Sequence, residues 1–268
     1  MNVFKKGLGS WVIVLLLVFC SGYVQAKNSF LVAPGRVDFD LSRPNTQSFI
    51  ITNSGDDKIR LSIEPVYFEI DSRSLAAGEP LDKINPGKDD LRPYIRVSPR
   101  TLSLNPGQRR DIRISVRASQ DMDAGDYRAH LLVRMLETAR IEDVVSDDPA
   151  AIGMKLAIKL ETAVAIYGYL GERQAELAVN CLRGERGDLL LDINNPTRWR
   201  FEGWFSVNSG QASEVAEPLA RKHVNSLRES RRQVRMEWSP KSGEELGIIW
   251  RDAKTDVEKG RTQCKLSD

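Results

Sequence analysis

The stretch M154-KLAIKLETAVAIYGY-L170 decides the reading of this chain. Met154, Leu156, Ile158 and Leu160, then Val164 and Ile166 beyond Thr162, fall on one side of a period-two chain, the signature of a β-strand with one apolar face. A typical strand holds ~5–6 residues, so this run is longer than closing one sandwich requires. Upstream, runs rich in Val, Ile, Leu, Phe and Tyr alternate with turn clusters: FLVAPGRVDFDL (30–41), QSFIITNS (47–54), IRLSIEPVYFEI (59–70), YIRVSP (94–99), RRDIRISVR (109–117) and YRAHLLVRML (127–136). In the fifth, Ile112, Ile114 and Val116 alternate with Arg113, Ser115 and Arg117, as in an antiparallel sheet with one wet face. With the run 154–170 these make seven strands, the count of an immunoglobulin-like sandwich. The segment LETARIEDVVSDDPAAIG (136–153) is polar, acidic and too long for a hairpin turn, and reads as a loop.

Past Gly168–Arg173 a second set of strands begins: AELAVNCL (175–182), DLLLDINN (188–195), WRFEGWFSVN (199–208), QVRMEW (233–238), GIIW (247–250) and TQCKL (262–266). The fold expected is all-β, two Ig-like β-sandwich domains in tandem, residues 27–170 and 171–268. The basic stretch ARKHVNSLRESRRQVR (220–235) reads as a solvated loop and strand edge.

Residues 1–26 carry Lys5 and Lys6, an apolar run from Trp11 to Cys20, and small or polar residues ending Val24-Gln25-Ala26. That is the pattern of a secretory signal cleaved after Ala26; an apolar run of roughly ten residues falls short of the ~20 that span a bilayer. Export leaves Cys181 and Cys264 in an oxidising place, where a disulfide between them is expected. Two separate buried thiols are the alternative, because a sequence does not supply the Cα separation that a bridge requires.

Chemistry is sparse. The 39 Lys and Arg nearly balance the 37 Asp and Glu, which gives no global field of the kind nucleic-acid binders use. No GxSxG, HExxH or GxxxxGK[ST] motif occurs, and no Cys/His spacing suggests zinc. His130 lies in an apolar strand and His223 in the basic stretch, neither with a nucleophile nearby in sequence. The reading is therefore no enzyme, no cofactor, no metal, no nucleic acid and no stable membrane insertion. What remains as a reagent is the backbone of the long strand, which can add to another protein's sheet edge while its side chains fill alternate pockets.

The order of PGRVDFDL, QSFIITNSG, YIRVSPRTLSLNPGQRRDIRISV, MKLAIKLETAVAIYGYL and LLLDINNPTRWRFEGWFSV resembles the PapD-like periplasmic chaperones of the chaperone/usher pilus pathway. The resemblance covers nearly all of the chain after the signal. It implies two Ig-like domains set like a boomerang and a periplasmic protein that caps pilus or fimbrial subunits by donating its G strand, then delivers them to an outer-membrane usher. It also implies that Leu156, Ile158 and Leu160, with Met154 extending the row, are the subunit-binding donors. Arg36, in PGRV, matches the arginine that anchors the subunit's terminal carboxylate. Ala165 stands where the family has a second, lysine anchor, and Arg134 and Lys159 are the bases considered in its place. The alternative reading is a secreted Ig-like binding or structural module whose long strand completes its own sandwich.

Overall fold

In the computed structural model, residues 28–70, 77–80, 87–136, 139–140, 157–210, 217–241 and 243–265 are described. Residues 1–26, read from sequence as an export signal, and Met154 and Leu156 lie outside them. The first half of the chain supplies β1 (Phe30–Ala33), β2 (Arg36–Asp40), β3 (Asn45–Asn53), β4 (Ile59–Val66), β5 (Phe68–Ile70), β6 (Ala77–Pro80) and β7 (Ile95–Ser98). It continues with β8 (Thr101–Leu104), β9 (Arg109–Val116), β10 (Gly125–Met135), β11 (Ala139–Arg140), β12 (Ala157–Ile158) and β13 (Glu161–Leu170). The second half supplies β14 (Ala178–Arg183), β15 (Leu189–Asn195), β16 (Phe201–Ser209), β17 (Ala220–Ser226), β18 (Ser230–Arg235), β19 (Glu245–Asp252) and β20 (Glu258–Lys265). The chain is all-β and forms two Ig-like sandwiches in tandem.

The first sandwich packs the sheet β1-β3-β9-β7 on the sheet β2-β13-β10-β4-β8. Alternation builds it: Phe49 and Ile51 of β3, Ile112 and Ile114 of β9, Leu131 and Val133 of β10, and Val164 and Ile166 of β13 are buried together in one core. The chain enters by changing sheets. β1 lies antiparallel to β3, then after Pro34 and Gly35, β2 runs parallel to β13 in the other sheet. β2 begins late: Arg36 stands opposite Ala165 and Asp40 opposite Tyr169. On its other side β13 is paired along its whole length, from Glu161 opposite Arg134 to Leu170 opposite Gly125.

The second sandwich packs β14-β15-β18 on β17-β16-β19-β20 around Leu191, Ile193, Phe205, Val207, Leu246 and Ile248. The basic stretch 220–235, read from sequence as a loop and strand edge, instead forms two strands that part to different sheets: β17 pairs with β16 and β18 with β15. Val224 and Ser226 are turned inward, and the charges find partners, Arg231 on Asp192 among them. β8 is likewise an addition to the sequence reading, pairing with β4 through Leu102 and Leu104. Each sandwich fixes a loop with a fully buried asparagine. The Asn53 amide donates to the carbonyls of Asp57 and Leu104 while its Oδ1 accepts from Gly55 N–H; the Asn195 amide donates to Trp199 and Leu227 while its Oδ1 accepts from Thr197.

The two cysteines are joined, with their Cα atoms 6.0 Å apart, inside the range a bridge accepts. The bond ties β14 to β20 and so clamps the two sheets of the second sandwich across a separation of 83 residues. Replacing both Cys181 and Cys264 by Ser is expected to lower unfolding stability by about 2–5 kcal/mol, because a bridge closing a long loop mainly restricts the unfolded chain. Urea unfolding with the reductant present and absent checks this: the reductant should destabilise the parent protein and leave the double variant unchanged.

Candidate binding cleft and donor edge

β13 carries two different edges along one strand. From Ala165 onward its outward groups are taken by the preceding strand: Ala165 N–H donates to Gly35 O at 3.0 Å, and Leu41 N–H donates to Tyr169 O at 2.8 Å. The outward-pointing groups therefore belong to the odd-numbered residues, while Leu160 O, on the opposite side, accepts from Met135 N–H at 3.0 Å. Glu161 and Ala163 also point outward, and among the described residues no strand lies beside them. Beyond Glu161 the ladder is interrupted at Lys159 and Leu160 and resumes in β12, where Ile158 stands opposite Ala139 of β11. The single long strand expected from sequence is thus two pieces of one hairpin arm. Of the four donor residues read from sequence, Leu160 packs half-buried against the first core and Ile158 lies in β12. Val164 and Ile166 are fully buried in the home core, and Thr162 between them and Leu160 is exposed.

Arg36, the anchor candidate, opens β2 at the junction of the two sandwiches. It forks onto Asp38, Nε to Oδ2 at 2.8 Å and Nη2 to Oδ1 at 3.0 Å, and its Nη1 reaches Glu202 Oε1 of β16 at 2.7 Å. The spacing follows from β-geometry, since residues 36 and 38 share one side of a strand. Arg200 comes from the second sandwich to the same place: its Nη2 lies 3.1 Å from Asp38 Oδ1 and its Nη1 3.3 Å from Glu202 Oε2. Both guanidinium groups lie by the Tyr167 ring, Arg200 at 4.1 Å and Arg36 at 5.1 Å from its centroid. Two cations and two anions thus meet around one aromatic ring. Arg36 keeps 31% of its side chain exposed while Arg200 keeps 3%, so the first faces solvent and the second backs it. A cavity of about 340 Å³ adjoins Arg200 and Glu202, with Arg173, Lys254 and Lys259 also on its wall.

The electrostatics follow the geometry. Burial pushes the Asp38 carboxyl up, but Arg36, then Arg200 and Lys254, more than offset this and hold it below its ordinary value. Glu202 is lowered first by its hydrogen bond from Arg36. Arg200 is lowered by burial and then by repulsion from Arg36. A second contact joins the sandwiches. Asp126, 3% exposed, accepts from the Arg200 backbone N–H and from Arg173 Nη2, both at 2.9 Å, while Arg228 Nη1 donates to its carbonyl at 3.1 Å. Burial raises the Asp126 carboxyl despite these partners.

Neither base considered for the place of the second anchor is in the cleft. Arg134 pairs with Glu64 and Glu161, four residues up the ladder from Ala165, and Lys159 approaches Glu161. Arg200, Glu202 and Asp38 were not singled out from sequence. A signal for Asp38 was present, because RVDFD alternates charge with core residues. Arg200 and Glu202 alternate in the same way just after NNPT, but their meeting with Arg36 spans more than 160 residues and depends on how the sandwiches dock. His130 stands opposite Ala165 and packs edge-on to Phe68, with centroids 4.8 Å apart. Burial, then the nearby Arg128, push its imidazole down to about 4. Among the described residues no group of three or more His, Cys, Asp and Glu could hold a metal ion, and no helix is long and apolar enough to cross a membrane.

No family model matches the chain, and no curated protein matches it. Solved structures do. A chain from a chaperone–tip adhesin complex of CFA/I fimbriae biogenesis superposes with a TM-score of 0.51 at 11% identity, covering 88% of this chain and 98% of that one. The class 5 fimbriae chaperone CfaA gives 0.48 at 10% identity over 90% and 100%. A chain of the Salmonella enterica SafA pilin–SafB chaperone complex gives 0.47 at 14% identity over 89% and 96%. The first of these establishes that the two tandem sandwiches have the fold found in that fimbrial complex.

Two outcomes test the electrostatics. In Arg36→Gln the Asp38 and Glu202 carboxyls should rise toward their ordinary values of 3.8 and 4.5, read by NMR titration; unchanged values would contradict the assigned cause. Because both are depressed in the folded protein, their contribution to stability is complete above those ordinary values and is lost as pH falls through the folded ones. His130 acts at higher pH. With a folded value of about 4 against an ordinary 6.5, the unfolded chain binds the extra proton between them, so stability falls as pH drops from 6.5 to 4. His130→Gln should flatten that slope in urea titrations across the interval.

Proposed function

We propose that this chain is a periplasmic, non-enzymatic assembly chaperone that caps pilus or fimbrial subunits with its own strand and passes them to an outer-membrane usher. The observation that carries the reading is the half-covered strand β13. β2 protects it only from Ala165 onward, and among the described residues no strand lies beside the outward groups of Glu161 and Ala163. An unfinished subunit sheet can pair there, and the apolar row Met154, Leu156, Ile158 and Leu160 can enter its gap. Each large aliphatic side chain buried in this way is worth ~1.5–3 kcal/mol, enough for several to hold a client while a better-fitting strand could still displace them. In this reading residues 1–26 are the cleaved export signal, 27–170 the client-binding domain and 171–268 the domain that completes the cleft.

Arg36 anchors the client's terminal carboxylate. Arg200 takes the part for which Ala165 has no charge, standing beside Arg36 on the Tyr167 ring rather than on β13. In the free protein Asp38 and Glu202 occupy Arg36, and an incoming carboxylate takes the place of Glu202, one carboxylate for another, so the cleft need not expose a bare guanidinium while it waits.

Leu156→Ser with Ile158→Ser and Leu160→Ser is expected to abolish co-purification of a subunit from periplasm while leaving the protein folded, with some loss of stability from Leu160, which packs against the first core. Undiminished co-purification would defeat the donor-strand reading. Arg36→Ala should weaken client capture at least tenfold, the loss expected when a charge-assisted pair worth ~1.5–3 kcal/mol disappears. A fall in stability with capture intact would instead make Arg36 a tether between the sandwiches.

A further inference from the structure

The outward face of the sheet β1-β3-β9-β7 is unlike the rest of the molecule. Phe30 and Val32, Phe49 and Ile51, Ile112 and Ile114, and Ile95 and Val97 point into the first core, so their neighbours in sequence point out. On β9 these are Arg109, Asp111, Arg113 and Ser115; Arg117 follows just past its end, and Arg96 of β7 stands opposite Ser115. Arg96, Arg109, Arg113 and Arg117 are all exposed. At ~3.4 Å per residue, Arg109 to Arg117 is a row ~27 Å long. Other arginines of this chain sit on carboxylates, Arg128 on Asp89 at 2.7 Å and Arg231 on Asp192 at 2.9 Å among them. The four arginines of the row lie within ion-pair distance of no carboxylate among the described residues. Asp111 is the single acid pointing outward from these four strands. Beside the row, Leu31 is 61% exposed and Ile50 37%. Leu31 faces Thr52 and Ile50 faces Ala33, which makes the two aliphatics diagonal neighbours on the same face.

We propose that this face docks peripherally on an anionic lipid surface. An isolated charged face is ordinarily just solvated; three features together point to a membrane. The guanidinium groups are spread over a sheet face rather than gathered in a pocket, which suits many separated phosphates rather than one small anion. Among the described residues they have no carboxylate partner, so no such pair has to break when they meet lipid. The adjoining Leu31 and Ile50 side chains are of use at a lipid interface, where they enter the boundary between headgroups and acyl chains, and of no use to a hydrophilic polyanion. β13 and the cleft lie in the other sheet and at the other sandwich, so the proposal is independent of the chaperone reading.

The test is flotation of the full-length protein, after removal of the export signal, with vesicles of phosphatidylglycerol mixed into phosphatidylcholine and with vesicles of phosphatidylcholine alone. Binding is expected only to the former and should weaken as salt rises. Arg109→Ser and Arg113→Ser should each weaken partitioning about fivefold, and Asp111→Asn should strengthen it by a similar factor, a gain that misfolding could not produce. Leu31→Ser with Ile50→Ser should remove the part of the binding that survives high salt. Equal binding to both kinds of vesicle, or arginine variants that float like the parent, would overturn the proposal. So would binding to heparin or duplex DNA that outcompetes the vesicles and is indifferent to the Leu31 and Ile50 substitutions, since the face would then read a soluble polyanion.

Discussion

Every backbone N–H and C=O in a sheet needs a partner, and in this molecule that requirement is met unevenly along one strand. β13 is fully paired to β10 on one side. On the other, β2 covers only the half nearest the second sandwich, because β1 lies in the opposite sheet and the chain crosses over at Pro34 and Gly35. Much else depends on this late entry. It places Arg36 opposite Ala165, where the second sandwich can reach it with Glu202 and Arg200, and among the described residues it leaves the far half of the strand as an open edge. An open edge invites indiscriminate pairing. Here it is short, carries Glu161, and has its pairing interrupted at Lys159 and Leu160, all of which temper it.

Most of the fold was legible because it rests on alternation. RDIRISVR and YRAHLLVRML show which side of each strand is buried, and Ile112, Ile114, Leu131 and Val133 lie where that pattern puts them. The place of Val164 and Ile166 in the home core was legible for the same reason. The pairing of Cys181 with Cys264 was expected from the reading of residues 1–26 as an export signal rather than from spacing. The strands that escaped are those in which polarity hides the period. β17 has a single fully buried aliphatic, Val224, among Arg221, Lys222 and His223, and β8 is two leucines between Pro99 and Pro106.

The cleft was only half legible. Arg36 stood out through a resemblance, but its partners did not, because ionic contacts are set by tertiary docking and leave no local period. In place of the charge that Ala165 lacks, the bases considered from sequence are Arg134 and Lys159, and these prove to be occupied by Glu64 and Glu161 at the other end of the ladder. The base that stands beside Arg36 comes from the far sandwich, where TRWRFE was read for its turn and its strand but not for its charge.

The material of the seam between the sandwiches has a consequence for how the chain acquires its shape. Arg36, Asp38, Asp126, Arg173, Arg200 and Glu202 are all groups that water also satisfies, whereas each sandwich closes its own apolar core and, through Asn53 or Asn195, its own loop. Neither half needs the other to hide greasy surface. Docking then adds orientation more than free energy, since directional hydrogen bonds tolerate few arrangements while returning little beyond what solvent offered. Each half can therefore complete its own core first, with the angle between them settled last.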